Sequence, residues 1–295
     1  MLRRKSNFQI YKGEGGASFA GCHRPLCFSM KTNETMIKAV FFDIDGTLVS
    51  FKTHEVPAST VKALAALRAK GVKVFIATGR QKGSINNLGS LQFDGYVTLN
   101  GGFCLAGDEV IYKRSIPQED IQALIRYQQE KPFPCALVEE DGLFQNYIDE
   151  NALSLYGLLN FPLPPVRPLE ENNGKEVFQL IAFFQAANEQ EIMSVLPHCE
   201  ATRWNPLFAD VVPKGSSKAI GIDHIIAHYG IALEETMAFG DGGNDIPMLR
   251  HAGIGVALGN ASDEVKASAD WVTTSVDEDG IMNALRHFGV IGVNE

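Results

Sequence analysis

Asp43 and Asp45 stand one residue apart, directly after a short apolar segment, and Gly46 and Thr47 follow them. Carboxylates held this close repel each other, so the spacing is favourable mainly when a cation sits between them or when they differ in protonation. Oxygen ligands favour a hard ion such as Mg²⁺. An apolar strand followed by Asp-Gly is equally a signal for a β-hairpin, and this stretch alone leaves both interpretations open.

Three other segments carry side chains with complementary chemistry. Thr78 and Gly79 end an apolar run, Lys218 lies in the first turn of a predicted helix, and Asp241 and Asp245 stand on a glycine-rich loop. Carboxylates can hold a metal, a lysine can neutralise phosphoryl oxygens, and a hydroxyl can bond to them. Together these groups indicate phosphoryl transfer more specifically than any one of them.

The elements that must position these residues follow an α/β pattern. Short apolar runs, typical of strands buried on both faces, alternate with helical patterns in residues 36–116 and 213–295. We expect a Rossmann-like three-layer core with a mainly parallel sheet, whose ligands bind beyond the carboxyl ends of the strands. Hairpins and helices in residues 117–212 predict an inserted α+β domain. Residues 1–35 lack periodicity, and we expect them to be poorly ordered.

Composition limits the classes of partner. The 295-residue chain has a net charge of −9 and is 45% hydrophobic, which favours a large core and argues against nucleic acid or an anionic membrane as partner. No apolar run approaches the roughly 20 residues that cross a bilayer. Five scattered cysteines indicate a reducing compartment, so we expect a cytoplasmic location.

Four motifs, in order, resemble those of the haloacid dehalogenase-like superfamily: FFDIDGTL, IATGR, GSSKAIG and GDGGND. The inserted domain falls between the second and third, as in the Cof-type phosphatases, which carry a larger α/β cap there. The similarity spans residues 36–290. It implies Mg²⁺-dependent hydrolysis of small phosphorylated metabolites, sugar phosphates among them.

The resemblance also implies a role for each motif residue. Asp43 would be the nucleophile that becomes an aspartyl phosphate, and Asp45 would be the general acid and base. Mg²⁺ would be held by Asp43, Asp241 and the backbone carbonyl of Asp45, while Asp245 would orient Lys218 or a metal-bound water. Phosphate and substrate binding is expected from Ile44, Thr78, Gly79, Lys218 and Asn244.

The sequence leaves two other functions open. A phosphomutase of the same superfamily would share the carboxylate pair, and a non-catalytic regulator would keep the fold to bind a phosphorylated metabolite.

Among the cap residues, Asp149, Arg167 and Arg203 are polar enough to contact a substrate. Lys214 lies four residues before Lys218, but Lys218 fits the helix start better.

Two weaker patterns favour ordinary structure. The stretch IGVALG lacks the spacing of a dinucleotide-binding loop and comes late in the chain, so a strand between turns is the better interpretation. His224 and His228 are spaced like a zinc pair, but Ile225 stands where a metalloprotease needs a glutamate. We expect these to be ordinary helix histidines.

Overall fold

The computed structural model describes residues 36–140, 142–159, 161–203 and 205–293. The prediction made for residues 1–35 concerns a segment outside the described residues. In the part of the chain that is described, no helix is both long enough and apolar enough to cross a membrane.

The described residues form two sheets. The larger has eight strands, numbered in chain order over the described part of the chain: β1 (Ala39–Phe42), β2 (Lys73–Ala77), β3 (Gly95–Thr98), β4 (Phe103–Ala106), β5 (Glu109–Lys113), β11 (Thr236–Gly240), β12 (Ile254–Ala257) and β13 (Trp271–Val272). Their order is β13-β12-β11-β1-β2-β3-β4-β5, with parallel pairing from β13 to β3. Only β4 breaks the parallel pattern, because it pairs antiparallel with both β3 and β5. The expected mainly parallel sheet is confirmed.

Helices cover both faces of this sheet: α1 (Ala58–Ala69), α5 (Lys218–Tyr229), α6 (Ile246–His251), α7 (Asp263–Lys266) and α8 (Gly280–His287). On β1, Val40 and Phe42 point to one face, where they pack with residues of α1 and α8. Phe41 points to the other face, where it packs with residues of α5 and α6. Successive side chains of β1 point to opposite faces of the sheet, and both faces are apolar. Helices therefore cover each face, and the sheet between them makes the middle of three layers.

The second sheet has five antiparallel strands in the order β7-β6-β8-β10-β9, with three helices beside it. We call residues 117–212, which supply nearly all of it, the cap; its exact boundaries stay a prediction. Its elements are α2 (Gln118–Glu130), β6 (Cys135–Glu139), β7 (Leu143–Gln145), α3 (Glu150–Leu158), β8 (Val177–Ala182), α4 (Glu189–Ser194), β9 (Cys199–Thr202) and β10 (Ala209–Pro213).

The cap contacts the core through an apolar cluster. Phe103 of β4 meets Phe178 of β8 edge to face, with ring centroids 5.4 Å apart, and Leu99 and Val138 belong to the same cluster. Gln81 adds polar contacts, because its side-chain amide donates to backbone carbonyls of the cap.

One alternative that the sequence left open is wrong, and one expectation is confirmed. The hairpin considered after Asp45 does not form, because β1 pairs in parallel with β2 and β11; residues 44–49 make a tight turn in which the Ile44 carbonyl accepts the N–H groups of Leu48 and Val49. The stretch IGVALG forms strand β12 as expected. There Gly255 is required by packing, because an added Cβ would lie 1.9 Å from the carbonyl oxygen of Leu249.

Candidate active site

Three parallel strands deliver the first polar side chains to one edge of the sheet. Asp43, Thr78 and Asp241 are the residues that directly follow β1, β2 and β11, which are neighbours in the order β11-β1-β2. Parallel neighbours end at the same edge, so residues far apart in sequence come together there.

Lys218 reaches the same place from the first turn of α5. Ser217 caps this helix by accepting a hydrogen bond from the N–H of Ile220. The helix start is pressed against Gly101, where an added Cβ would lie 2.0 Å from the Ser217 carbonyl oxygen. Lys218 follows a strand of the cap and not a strand of the core, so its position depends on this close backbone contact.

The ammonium group of Lys218 lies between two carboxylates. Its Nζ is 2.6 Å from Oδ1 of Asp43 and 2.6 Å from Oδ1 of Asp245, and the lysine side chain is fully buried. The other oxygen of Asp245 accepts the backbone N–H groups of Asp241 and Gly242 at 2.9 and 2.8 Å. Asp245 therefore fixes both the lysine and the loop that carries Asp241.

Asp241 is held by two further side chains. Thr47 Oγ1 donates to its Oδ1 at 2.7 Å, and Asn260 Nδ2 donates to its Oδ2 at 3.1 Å and to the Gly46 carbonyl at 2.9 Å. Gly46 has φ of +87°, and a Cβ there would lie 2.2 Å from Asp241 Oδ2. Only glycine allows the turn after β1 to approach this carboxylate so closely.

Asp45 is bound by an arginine and not by Lys218. Arg80 bonds both of its carboxylate oxygens, through Nε at 2.6 Å and through Nη2. The backbone N–H of Arg80 donates to Thr78 Oγ1, and its guanidinium lies 4.3 Å from the ring centroid of Phe161 in the cap. A cap aromatic ring thus covers the ion pair that holds Asp45.

The buried charges do not balance. Burial, together with the charges of Asp245 and Asp45, raises the pKa of Asp43 to about 7, although Lys218 acts in the opposite direction. Burial, followed by Asp43 and Asp245, raises the pKa of Asp241 well above its usual value. Burial alone would lower the pKa of Lys218, but Asp245 and Asp43 raise it instead. In this cluster, the positive charge of one ammonium group, that of Lys218, is therefore set against three carboxyl groups.

This surplus of negative charge fits a divalent cation. One oxygen each from Asp43, Asp241 and Asp245 lie within 4.8 Å of one another. Ligands on opposite sides of Mg²⁺ are about 4 Å apart, so the span suits such an ion after a small adjustment. An all-oxygen ligand set also favours Mg²⁺ over softer metals. The residues present fit the metal that the sequence implied.

The site opens into a cavity of about 460 Å³ between core and cap. Asp43, Asp45, Thr78, Gly79, Arg80, Asp241 and Asn244 line its core side. The cap side is mainly apolar and includes Leu155, Phe161, Ile181 and Phe208, with Gln179, Asn205 and Asp210 as its polar members. The volume is within the range of small-molecule sites.

Some predicted site residues lie elsewhere. Ile44 is buried in the apolar core and does not line the cavity, so the prediction for it can apply only to its backbone. Asp149 caps α3, Arg167 pairs with Glu139, and Arg203 pairs with Glu189. These three cap residues do not line the cavity.

Several site residues escaped the sequence analysis. Arg80 and Thr47 belong to the quoted motifs but received no role there. Asn260 comes just beyond the carboxyl end of β12, so the rule that placed Asp43 could also have identified it. Gln179 and Asp210 lie inside cap strands and follow no motif.

The comparisons with known proteins agree with this geometry. A sequence model described as haloacid dehalogenase-like hydrolase matches residues 40–285. The chain belongs to this family. Among its relatives, the Bacillus subtilis (strain 168) protein named "Putative phosphatase YkrA" is 38% identical over 256 residues, which are 86% of this chain and 98% of the relative. The superfamily expected from the motifs is confirmed.

Solved structures add the architecture of the subfamily. This chain matches a structure described as the haloacid dehalogenase subclass IIB sugar phosphatase BT4131 with a TM-score of 0.82 and 53% identity, over 86% of this chain and all of the other. BT1666 from Bacteroides thetaiotaomicron, described among phosphatases of the same superfamily, matches with a TM-score of 0.82 and 43% identity, over 88% and 98% of the two chains. This haloacid dehalogenase-like hydrolase is a phosphatase, as the motifs predicted.

Proposed function

We propose that this phosphatase hydrolyses small phosphorylated metabolites, sugar phosphates among them, with Mg²⁺ and through an aspartyl phosphate on Asp43. The observation that carries the proposal is the meeting of Asp43, Lys218 and Asp241 at the end of one cavity. The relative described as a sugar phosphatase supports the substrate class.

Asp43 is the proposed nucleophile, and its surroundings set its protonation. A pKa of about 7 would leave much of the carboxyl group protonated at neutral pH. Bound Mg²⁺ would supply positive charge that lowers this pKa and offsets charge on the phosphoryl oxygens. Lys218 contributes in the same sense, since its ammonium already contacts Asp43 at 2.6 Å.

Asp45 is the proposed general acid and base, and Arg80 orients its carboxylate. The bidentate contact fixes the orientation of the carboxylate. To protonate the leaving oxygen, Asp45 must first take up a proton, so a shift of Arg80 away from it would accompany catalysis. Because Phe161 covers Arg80, movement of the cap would be coupled to that shift.

Thr78, Gly79 and Asn244 are the proposed phosphate-binding groups. All three line the cavity beside Asp43. Asn244 Nδ2 donates to Asn100 Oδ1 at 3.1 Å, which orients its amide. An added Cβ on Gly79 would lie 3.2 Å from the Asn100 side chain, so glycine keeps this approach to the site open.

The proposal extends to surroundings and partners. We place the protein in the cytoplasm, with a small phosphorylated molecule and not a nucleic acid or membrane as its partner. Three free cysteines that the structure describes, Cys104, Cys135 and Cys199, are buried, which suits a reducing compartment. The net charge of −9 supports the exclusion of nucleic acid.

The test is release of inorganic phosphate from a panel of phosphate esters with Mg²⁺ and with a chelator. We expect turnover that requires Mg²⁺ and a loss on the order of 10³-fold or more for Asp43→Asn. Asp120→Asn is the matched control, because Asp120 is an equally buried aspartate that does not line the cavity. Isomerised sugar phosphate without free phosphate would indicate a mutase, and full turnover by Asp43→Asn would refute the mechanism.

A further inference from the structure

The roof of the cavity contains one polar pair on the face of the cap sheet. Along β8 and β10, Leu180 and Val211 point toward the cap helices. Alternation turns Gln179 and Asp210 to the opposite face, where both line the cavity. Their neighbours on the roof are mostly apolar, so this pair is a local polar site in an apolar surface.

Both residues are deeply buried, and one polar atom of Gln179 lacks a hydrogen-bond partner. Gln179 and Asp210 are each 3% exposed, and Gln179 Nε2 donates to Asp210 Oδ1 at 2.7 Å. The Oε1 atom of Gln179 is buried without a hydrogen-bond partner among the described residues. A buried acceptor without a donor lowers stability, so such an atom calls for a functional explanation.

Another glutamine of the cap sheet shows the contrast. Gln145 is fully buried on β7, and both ends of its amide are bonded: Nε2 donates to the Tyr147 carbonyl at 2.8 Å, and Oε1 accepts from the Tyr156 hydroxyl at 2.6 Å. Gln145 does not line the cavity. On the strands of the cap sheet, the glutamine away from the cavity is therefore satisfied, and the one that lines the cavity is not.

We propose that Gln179, oriented by Asp210, selects the leaving group by accepting a hydrogen bond from one of its hydroxyl groups. This inference rests on the proposed function, because a phosphate bound at Asp43 on the cavity floor would direct the rest of the ester toward the roof. The amide oxygen of Gln179 is an acceptor, and it needs a donor on the ligand. The apolar roof around it suits the C–H face of the same molecule.

The substrate class is therefore a phosphorylated polyol or sugar with hydroxyl groups remote from the phosphate. A site built to bond a substrate hydroxyl rejects an analogue that lacks it, because its own polar groups are then left unpaired. Apolar phosphate esters of similar length would fit the cavity by shape but would leave Oε1 of Gln179 without a donor.

The test compares a hexose 6-phosphate with hexyl phosphate, which has no free hydroxyl. We expect the full-length wild-type enzyme with Mg²⁺ to prefer the hexose ester in kcat/KM. Gln179→Leu and Asp210→Asn should each lower kcat/KM for the hexose ester by on the order of tenfold to a hundredfold. Their kcat/KM for hexyl phosphate should stay within about threefold of wild type, since that ester makes no hydrogen bond to either residue.

Gln145→Leu is the matched control, because it removes an equally buried cap amide away from the cavity. It should lower thermal stability and change both substrates alike. If Gln179→Leu is too unstable to purify, Gln179→Met keeps a similar side-chain shape and serves in its place. Equal losses on both esters for the Gln179 variant would overturn the proposal, as would a wild-type enzyme without preference for the hydroxylated ester.

The result that contradicts the proposed phosphatase mechanism differs from the result that contradicts the role of Gln179 and Asp210. A wild-type enzyme that releases no phosphate from either ester, or from any member of the panel, would contradict the phosphatase mechanism. Hydrolysis of both esters without discrimination would contradict only the role of Gln179 and Asp210.

Discussion

Two clusters of titratable side chains invite comparison, one in the core and one in the cap. Asp43, Asp241 and Asp245 form the first, and in the second Glu119 and Asp120 meet His198. In each cluster the nearest ligand atoms lie within 4.8 Å of one another. Composition and spacing alone would therefore nominate both as metal sites.

Their hydrogen bonds distinguish them. In the cap cluster, Asp120 Oδ1 meets His198 Nδ1 at 2.9 Å, and its Oδ2 accepts the His198 backbone N–H at 3.0 Å. Asp120 also stands in the first turn of α2, where a negative charge is favourable. Its charge is thus stabilised by the fold itself.

The core cluster is left with a surplus of negative charge beside a cavity. Burial and mutual repulsion raise the pKa values of Asp43 and Asp241, and Lys218 offsets only part of that charge. A group of acidic residues is therefore not by itself evidence of a ligand site. Unbalanced negative charge next to a cavity indicates a site that needs a ligand.

The largest expected effect comes from removing the one ammonium of the core cluster. Lys218→Met would leave Asp43 and Asp245 buried without their cation, which costs about 3–5 kcal/mol in the free energy of unfolding. Urea unfolding at pH 7 without Mg²⁺ measures this loss. The control is Lys214→Met, because Lys214 is exposed and its ammonium group donates to the Pro197 carbonyl. Equal stability of the two variants would contradict the assigned charge balance.

A smaller effect is expected from a side chain that orients a proposed metal ligand. Thr47→Val removes the 2.7 Å hydrogen bond to Asp241 and should weaken Mg²⁺ binding by about tenfold. Titration calorimetry with Mg²⁺ measures this affinity without relying on turnover. Thr98→Val is the matched control, since the buried Thr98 hydroxyl donates to the Phe103 carbonyl instead.

The outcome of that titration also tests the comparison between the clusters. Asp120→Asn, in the cap cluster, should leave the Mg²⁺ affinity unchanged. If Asp120→Asn weakened Mg²⁺ binding as much as Thr47→Val does, the cap cluster would contribute to the metal site. Its hydrogen bonds would then not distinguish it from the core cluster.

The fold and the reactive groups were largely predictable because their causes are local. Continuous apolarity in β1 required burial on both faces, and the rule that ligands bind at carboxyl strand ends placed Asp43 and Asp241 together. Lys218 was harder to place, since it follows a cap strand. Its position depends on the packing of α5 against Gly101, which is distant in sequence.

The cap resisted prediction for a physical reason. Gln179 lies inside β8 and Asp210 inside β10, so their shared face depends on antiparallel register, which the sequence does not state. The polar cap residues singled out instead, such as Arg167, form ion pairs away from the cavity. Polarity alone cannot distinguish a ligand contact from a salt bridge.

The smallest expected effect concerns the cap cluster and its dependence on pH. The hydrogen bond to Asp120 raises the pKa of His198, with Glu119 adding to the rise and Lys214 opposing it. A raised pKa means that protonated His198 stabilises the folded state fully below its unfolded pKa of about 6.5, and that this stabilisation disappears as the pH rises through the folded value. Half of the side chain is exposed, so the effect is modest.

His198→Gln tests this cluster, because the variant keeps the backbone N–H bond to Asp120 and loses only the titrating group. Melting temperatures of wild type and variant should differ more at pH 6 than at pH 9, with the wild type the more stable at the lower pH. Turnover should be unchanged, because His198 does not line the cavity. A stability difference that is constant with pH would mean that the imidazole acts by packing and not by charge. The charge of Asp120 would then not be balanced by His198, and the contrast with the core cluster would be weaker.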